Sequence, residues 1–383
     1  MNGELLVVAG ELSGDRAAAA VIAKLRGVRA FGLGGGALRR EGVELVADLR
    51  DVTALGVGEV ARRAYGVGLA YGRLRAAIRR RRPAAALLVN YTEFNARLAP
   101  MLWAEGTRVL WYGAPQIWAW RPERGRPLRR HLDRLCVMFP FEEPLWRELG
   151  VDAHYVGHPA MEERRGTEHR VAARELLGMT PFAWAVAILP GSRPHETRRL
   201  LEPMLRGFEL VRRDRASVDA RILLAPSLDE RTRAWARALG AVHQVETVDV
   251  DPRAGISYAL PAFDAALCAS GTASLECALA RVIPIVCYRV GWATEIGARA
   301  LLRTQHIALP NVLLGSGVFP ELLQRNVTAP RIAAELEKVL DDRATFLSAS
   351  IDLERLLGAR TTPSRDVARL IEPWLASSAA AAR

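Results

Sequence analysis

Leu5-Leu6-Val7-Val8-Ala9-Gly10-Glu11-Leu12-Ser13-Gly14-Asp15 reads as a buried strand that runs into a glycine turn and then a helix over 17–25. A short unbroken apolar run bounded by glycine is the pattern of a strand covered on both faces. Gly10 and Gly14 permit a tight turn, and Ser13 or Asp15 caps the helix. Outward from it, short apolar runs keep alternating with longer amphipathic segments, the signature of β-α units and a parallel sheet. The runs 29–32, 85–90, 108–112 and 135–139 continue a first sheet, and 184–189, 221–225, 265–269 and 284–288 make a second. The fold class is therefore α/β, two doubly wound Rossmann-like domains facing a cleft, with ligands expected at the carboxyl ends of the strands.

The length of 383 residues suits two domains of this kind. The expected division is a first domain over 1–160, a linker over the polar stretch 161–180, and a second domain over 181–345. Helices and a frayed small-residue tail over 346–383 are expected to pack back on the first domain. Half the residues are hydrophobic and a quarter charged, which excludes a disordered or fibrous chain. No apolar run is long enough to span a bilayer. The start of the chain lacks the basic and small-residue pattern of a secretory leader, so cytoplasm is expected.

Several strand ends carry candidate binding residues. Gly32-Leu33-Gly34-Gly35-Gly36 follows a strand and would let backbone approach a phosphate or sugar, yet it lacks the acidic partner of a dinucleotide site, so no nicotinamide cofactor is expected. In the second half, Gly191-Ser192-Arg193 opens a helix, where free N–H groups and a guanidinium suit a diphosphate. Ser270-Gly271-Thr272 repeats the arrangement. Its hydroxyls and Glu276, read as lying on the first helical turn, suit a sugar. Asp249-Val250-Asp251 imitates a metal-holding carboxylate pair, but the spacing supplies no further oxygen ligands and no metal is expected. Cys136, Cys268, Cys277 and Cys287 make no zinc pattern and read as reduced core thiols. His158 and His195 read as structural.

Together these segments resemble the lipid-A-disaccharide synthase family of glycosyltransferases, which has the GT-B fold. The resemblance lies in Gly-Glu-Leu-Ser-Gly-Asp at 10–15, Gly-Leu-Gly-Gly at 32–35, Glu-Phe-Asn at 93–95, Gln-Ile-Trp-Ala-Trp-Arg at 116–121, Phe-Pro-Phe-Glu at 139–142 and Val-Gly-His-Pro at 156–159. It continues through Leu-Pro-Gly-Ser-Arg at 189–193, Ser-Gly-Thr-Ala-Ser-Leu-Glu at 270–276, Tyr-Arg at 288–289 and Leu-Pro-Asn at 309–311. The resemblance implies transfer of an acylated glucosamine from UDP to the 6-hydroxyl of an acylated glucosamine 1-phosphate, forming a β-1,6 disaccharide and releasing UDP without cofactor or metal. It implies that the UDP-linked acylated sugar meets Gly191, Ser192, Arg193, Ser270, Gly271, Thr272 and Glu276. The anionic glycolipid acceptor is expected in the first domain, near Glu11, Ser13, Gly14, Asp15, Gly34, Gly35 and Asn95.

One position departs from the family pattern. Where the family has aspartate, in a pattern like Asp-x-Pro-x-Phe-Asn, this chain has Asn90, and an amide is no base. Glu93 is the nearest carboxylate able to substitute, so Asn90, Glu93 and Arg193 are the catalytic candidates. The departure keeps open a related transferase or UDP-sugar epimerase with another acceptor, or a non-catalytic UDP-sugar or lipid-binding homologue.

The formal net charge is +11, nearly all from arginine, since Lys24 and Lys338 are the only lysines. That excess suits an anionic partner. The stretch 60–83, with Arg73, Arg75 and the run Arg79-Arg80-Arg81-Arg82, reads as a basic amphipathic helix for the inner-leaflet membrane surface, weakened by Gly66, Gly68 and Gly72. No nucleic-acid motif is present. A second copy of the chain, giving a homodimer, is compatible with the sequence.

Overall fold

The computed structural model describes residues 3–50, 59–118, 125–181, 183–215, 217–289, 305–358 and 360–377. Residues 119–121 of the tryptophan-rich motif, Phe182, the tail 378–383 and the side chains of 59–64 lie outside this description. The chain forms two compact units. One comprises Met1–Glu162 with Arg360–Arg383, the other Glu163–Ala359.

The first unit is built on strands β1 (Glu4–Ala9), β2 (Arg29–Gly34), β3 (Glu44–Asp48), β4 (Ala85–Val89), β5 (Arg108–Tyr112), β6 (Arg134–Val137) and β7 (Ala153–Tyr155). They pair in the order β3-β2-β1-β4-β5-β6-β7, every pair parallel. β1 and β4 are buried almost throughout, because helices cover both faces of the sheet. The strand order reverses between them. Ala9 pairs with Val89, so Gly10 and Asn90 leave the sheet side by side.

The second unit carries β8 (Trp184–Leu189), β9 (Val218–Leu224), β10 (Glu246–Asp249), β11 (Ala265–Ala269), β12 (Ile283–Tyr288) and β13 (Glu321–Leu323). Their order is β10-β9-β8-β11-β12-β13, again all parallel. Here the order reverses between β8 and β11. A doubly wound sheet opens a crevice at such a point, beyond the carboxyl ends of the two strands, because their connections leave to opposite faces.

Two expectations about organisation need correction. The stretch 161–180, read as a linker because it is charged, carries the helix Arg170–Leu176, and from Glu163 onward it belongs to the second unit. Its charges are structural. Arg170 binds both oxygens of the buried Asp264 at 2.9 Å, and Arg174 reaches the same carboxylate at 3.3 Å. Nor do the last helices act together. Helix Arg343–Leu357 stays in the second unit, with Glu354 paired to Arg164 and Arg281. Helix Pro363–Ser377 belongs to the first, where Ser364 Oγ donates to Glu162 at 2.6 Å and Arg134 lies over the Trp374 ring.

Helix Glu59–Arg81 runs through its glycines without a break. Ala70, Leu74, Ala77 and Ile78 are buried, while Gly68 and Gly72 face open space, so packing outweighs their poor propensity. Arg81 is engaged within the unit. It pairs with Glu4 and Glu44, each at 2.7 Å, and stacks on Phe31.

Candidate active site

At the β1/β4 reversal the helix begins at Leu12, with Glu11 in the cap position. Ser13 and Asp15 therefore lie inside that helix and do not cap it. Asp15 instead caps a neighbour. Its buried carboxylate accepts from Gly35 N at 2.7 Å, Ala37 N at 2.8 Å and Leu38 N at 3.3 Å, the start of helix Gly36–Arg40. A Cβ on Gly35 would sit 2.8 Å from Asp15 Oδ2, and one on Gly34 would strike Leu38. These glycines make room for the protein's own anion. The N–H groups of Gly35, Ala37 and Leu38 are thereby satisfied within the protein.

Beside them, Asn90 and Tyr91 both adopt left-handed backbone, φ +48° and +43°. Asn95 is buried and donates to Asn90 O at 2.9 Å, so it braces this turn. Glu93 is exposed on the first turn of helix Thr92–Ala104, where a negative charge favours the helix start. Asn90 Nδ2 donates to Glu11 Oε1 at 3.0 Å, and Ser13 Oγ donates to the same oxygen at 3.3 Å. Gly14 is buried against Val89 and the Glu11 stem.

Two further ionisable groups sit at strand ends of this unit. Glu142 is only 2% exposed, accepting from Trp118 Nε1 at 2.9 Å and from the Met138 and Phe139 N–H groups at 3.2 and 3.1 Å. Burial without a cation pushes its carboxyl up to about 7, against which those three donors act. His158, buried and stacked on Phe139, is driven down to about 4 by burial, and its Nδ1 accepts from Ala160 N at 3.1 Å. Both lie in motifs the sequence singled out. Only the Glu142 bonds to a loop after another strand were invisible there.

The second unit repeats the reversal with different contents. Arg193 is the cap residue of helix Pro194–Asp214, its guanidinium largely exposed and paired with Glu196 at 2.8 Å. Gly191, at φ +118°, leaves room for Glu196, and Ser227 Oγ donates to Ser192 O at 2.7 Å. Across the reversal, Gly271 starts helix Thr272–Leu279, and a Cβ there would meet nothing within 4 Å. Among the described residues, Gly271 has open space beside it where Gly34 and Gly35 of the first unit are closely packed. Ser270 Oγ donates to Ile307 O at 3.2 Å, and Ser274 Oγ to Gly271 O at 2.8 Å. Glu276 is the fifth helical residue, one turn further in than its expected place on the first turn. Tyr288 lies half-buried near Arg193 and Glu196, its phenol shifted upward chiefly by burial.

Asp249 is held by Arg233 and Arg237, and Asp251 accepts from Arg253 N at 2.7 Å. Among the described residues no cluster of three acidic, histidine or cysteine side chains is placed to hold a metal. The four cysteines are buried and unpaired, with burial raising each thiol. No helix among the described residues is long and apolar enough to cross a membrane.

The likeness to known proteins runs along nearly the whole chain. In solved structures, the S. aureus MnaA complex with UDP superposes with a TM-score of 0.67 at 9% identity, covering 97% of this chain and 96% of that one. The UDP-GlcNAc 2-epimerase of Neisseria meningitidis, bound to UDP-GlcNAc, gives 0.65 at 11%, covering 98% and 100%. At such identities these share the fold alone. A family model described as lipid-A-disaccharide synthetase matches residues 5–365. The lipid-A-disaccharide synthase of Anaeromyxobacter dehalogenans strain 2CP-1 is 39% identical over 372 residues, 95% of this chain and 96% of the relative. That of Myxococcus xanthus is 39% identical over 379 residues, 96% and 98% respectively. Two parallel α/β units with glycine turns at their reversals, matched in sequence from end to end, place this chain in the lipid-A-disaccharide synthase family.

Proposed function

We propose that the chain is a hexosyltransferase that moves an acylated glucosamine from UDP to an acylated glucosamine 1-phosphate, forming the lipid A disaccharide and releasing UDP. The observation that carries this reading is family membership at 39% identity across almost the entire chain. The donor belongs to the second unit. There the N-termini of helices Pro194–Asp214 and Thr272–Leu279 flank the β8/β11 reversal, and Arg193 stands at the first of them. Free N–H groups and a guanidinium stabilise the charge that builds on a departing diphosphate. Ser192, Ser270, Thr272 and Glu276 would position the nucleotide sugar, and Tyr288 stands beside Arg193.

The acceptor belongs to the first unit, at the β1/β4 reversal with Glu11, Ser13 and Asn90. Tyr65 and Leu69 are exposed on helix Glu59–Arg81, with exposed Arg75, Arg79 and Arg80 further along it. Apolar and basic groups on one helix suit an anionic membrane surface, from which a lipid acceptor would be drawn.

The test is a mass-spectrometric assay with a UDP-diacylglucosamine donor and a monosaccharide 1-phosphate acceptor. Disaccharide and UDP are expected in equal amounts. UDP-sugar turnover that needs no acceptor would replace this reading with epimerisation.

A further inference from the structure

The transfer requires a group to take the proton of the attacking hydroxyl, and residue 90 is an amide. The same reversal holds another carboxylate. Glu11 follows β1 and Asn90 follows β4, the two strands between which the order turns. Glu11 is exposed, and both of its hydrogen bonds, from Asn90 Nδ2 at 3.0 Å and Ser13 Oγ at 3.3 Å, fall on Oε1. Among the described residues, nothing donates to Oε2.

We propose that Glu11 is the catalytic base of this chain, with Asn90 as the positioning residue that orients its carboxylate. The proposal rests on the transferase reading above. The backbone of residue 90 is fixed by two bonds, and its side chain lies in a space that a glycine leaves. Asn90 N donates to Tyr112 O at 2.9 Å, its carbonyl accepts from the buried Asn95, and its Oδ1 lies where Gly113 has no Cβ, which would approach to 2.0 Å. Asparagine also tolerates the left-handed backbone at this position better than most residues. The Nδ2 orientation follows from chemistry, since only the amide nitrogen can face a carboxylate oxygen.

In the step itself, the hydroxyl O–H bond breaks and its proton passes to Glu11. The freed oxygen pair forms the bond to the sugar's anomeric carbon, and the bond from that carbon to the diphosphate oxygen breaks with its electrons leaving on UDP. Glu11 then returns the proton to solvent.

The test uses the full chain in the disaccharide assay, with pH–rate profiles, calorimetric UDP titration and thermal melting. Glu11→Gln should lower kcat by roughly a hundredfold to ten-thousandfold, with UDP affinity and melting unchanged. Added formate should restore part of the rate to Glu11→Ala. Asn90→Asp should move the acid limb of the profile to higher pH, because two carboxylates about 3 Å apart share one proton. The proposal is overturned if Glu11→Gln keeps the native rate, if Glu93→Gln removes the activity instead, or if Asn90→Asp raises the rate at every pH. A folded native chain that binds UDP and makes no disaccharide removes the transferase reading itself, and the role of Glu11 with it.

Discussion

Among the described residues Asp15 has no charge partner, yet three backbone donors converge on it. Asp15→Ala strands those donors in a buried place, and a loss of about 2–4 kcal/mol is expected in urea unfolding. Arg193 is the opposite case. Its exposed pair with Glu196 contributes little to folding, so Arg193→Ala should leave the melting temperature alone. A charge-assisted bond to diphosphate is worth roughly 1.5–3 kcal/mol, and calorimetry should show UDP affinity falling about tenfold to a hundredfold. Glu142 and His158 oppose each other with pH. With its carboxyl raised from 4.5 to about 7, folded Glu142 holds its proton more tightly than the unfolded chain, so its contribution is full below 4.5 and lost as pH rises to 7. His158, lowered from 6.5 to about 4, contributes fully above 6.5 and loses stability as pH falls toward 4. Between 4.5 and 6.5 the two slopes nearly cancel. Glu142→Gln should expose the histidine slope, a loss on acidification of up to about 1.4 kcal/mol per pH unit. His158→Phe should reverse its sign, and urea midpoints at four pH values would show both.

Among the elements, the nine strands readable as apolar runs are the central ones, covered on both faces. The four that escaped, β3, β7, β10 and β13, are the sheet edges. An edge strand has one neighbour and partial cover, so Glu246-Thr247-Val248-Asp249 can be a strand with no apolar run to announce it. Helix Pro363–Ser377 belongs to the first unit, as the expected packing of the last helices on the first domain has it, whereas helix Arg343–Leu357 stays in the second. Val367, Ile371 and Leu375 are wholly buried there, each worth about 1.5–3 kcal/mol. A chain ending at residue 359 should therefore lose the calorimetric transition of the first unit while the second still melts and still binds UDP. Retention of both transitions would contradict this packing.

For the whole molecule, two expectations concern surroundings rather than single contacts. With a net charge of +11, binding to vesicles rich in anionic lipid should weaken steeply between 50 and about 300 mM salt, as screening shortens the reach of the arginines. Disaccharide formation should survive EDTA, since Arg233 and Arg237 already occupy Asp249; loss restored by magnesium or manganese would show otherwise. What the sequence determined by itself was whatever local patterning encodes: the α/β class, the two series of strands, the glycine turns at their ends, and the motifs that placed the chain beside its family. Tertiary structure alone decided how those turns are filled. Asp15 and Gly35 lie 20 residues apart, Glu11 and Asn90 79 apart, and Arg174 and Asp264 90 apart. No window of sequence contains both members of such a pair. A carboxylate's role as cap, base or ion-pair partner depends on which donor the sheet brings within 3 Å of it, and parallel pairing, which joins distant segments, makes that choice.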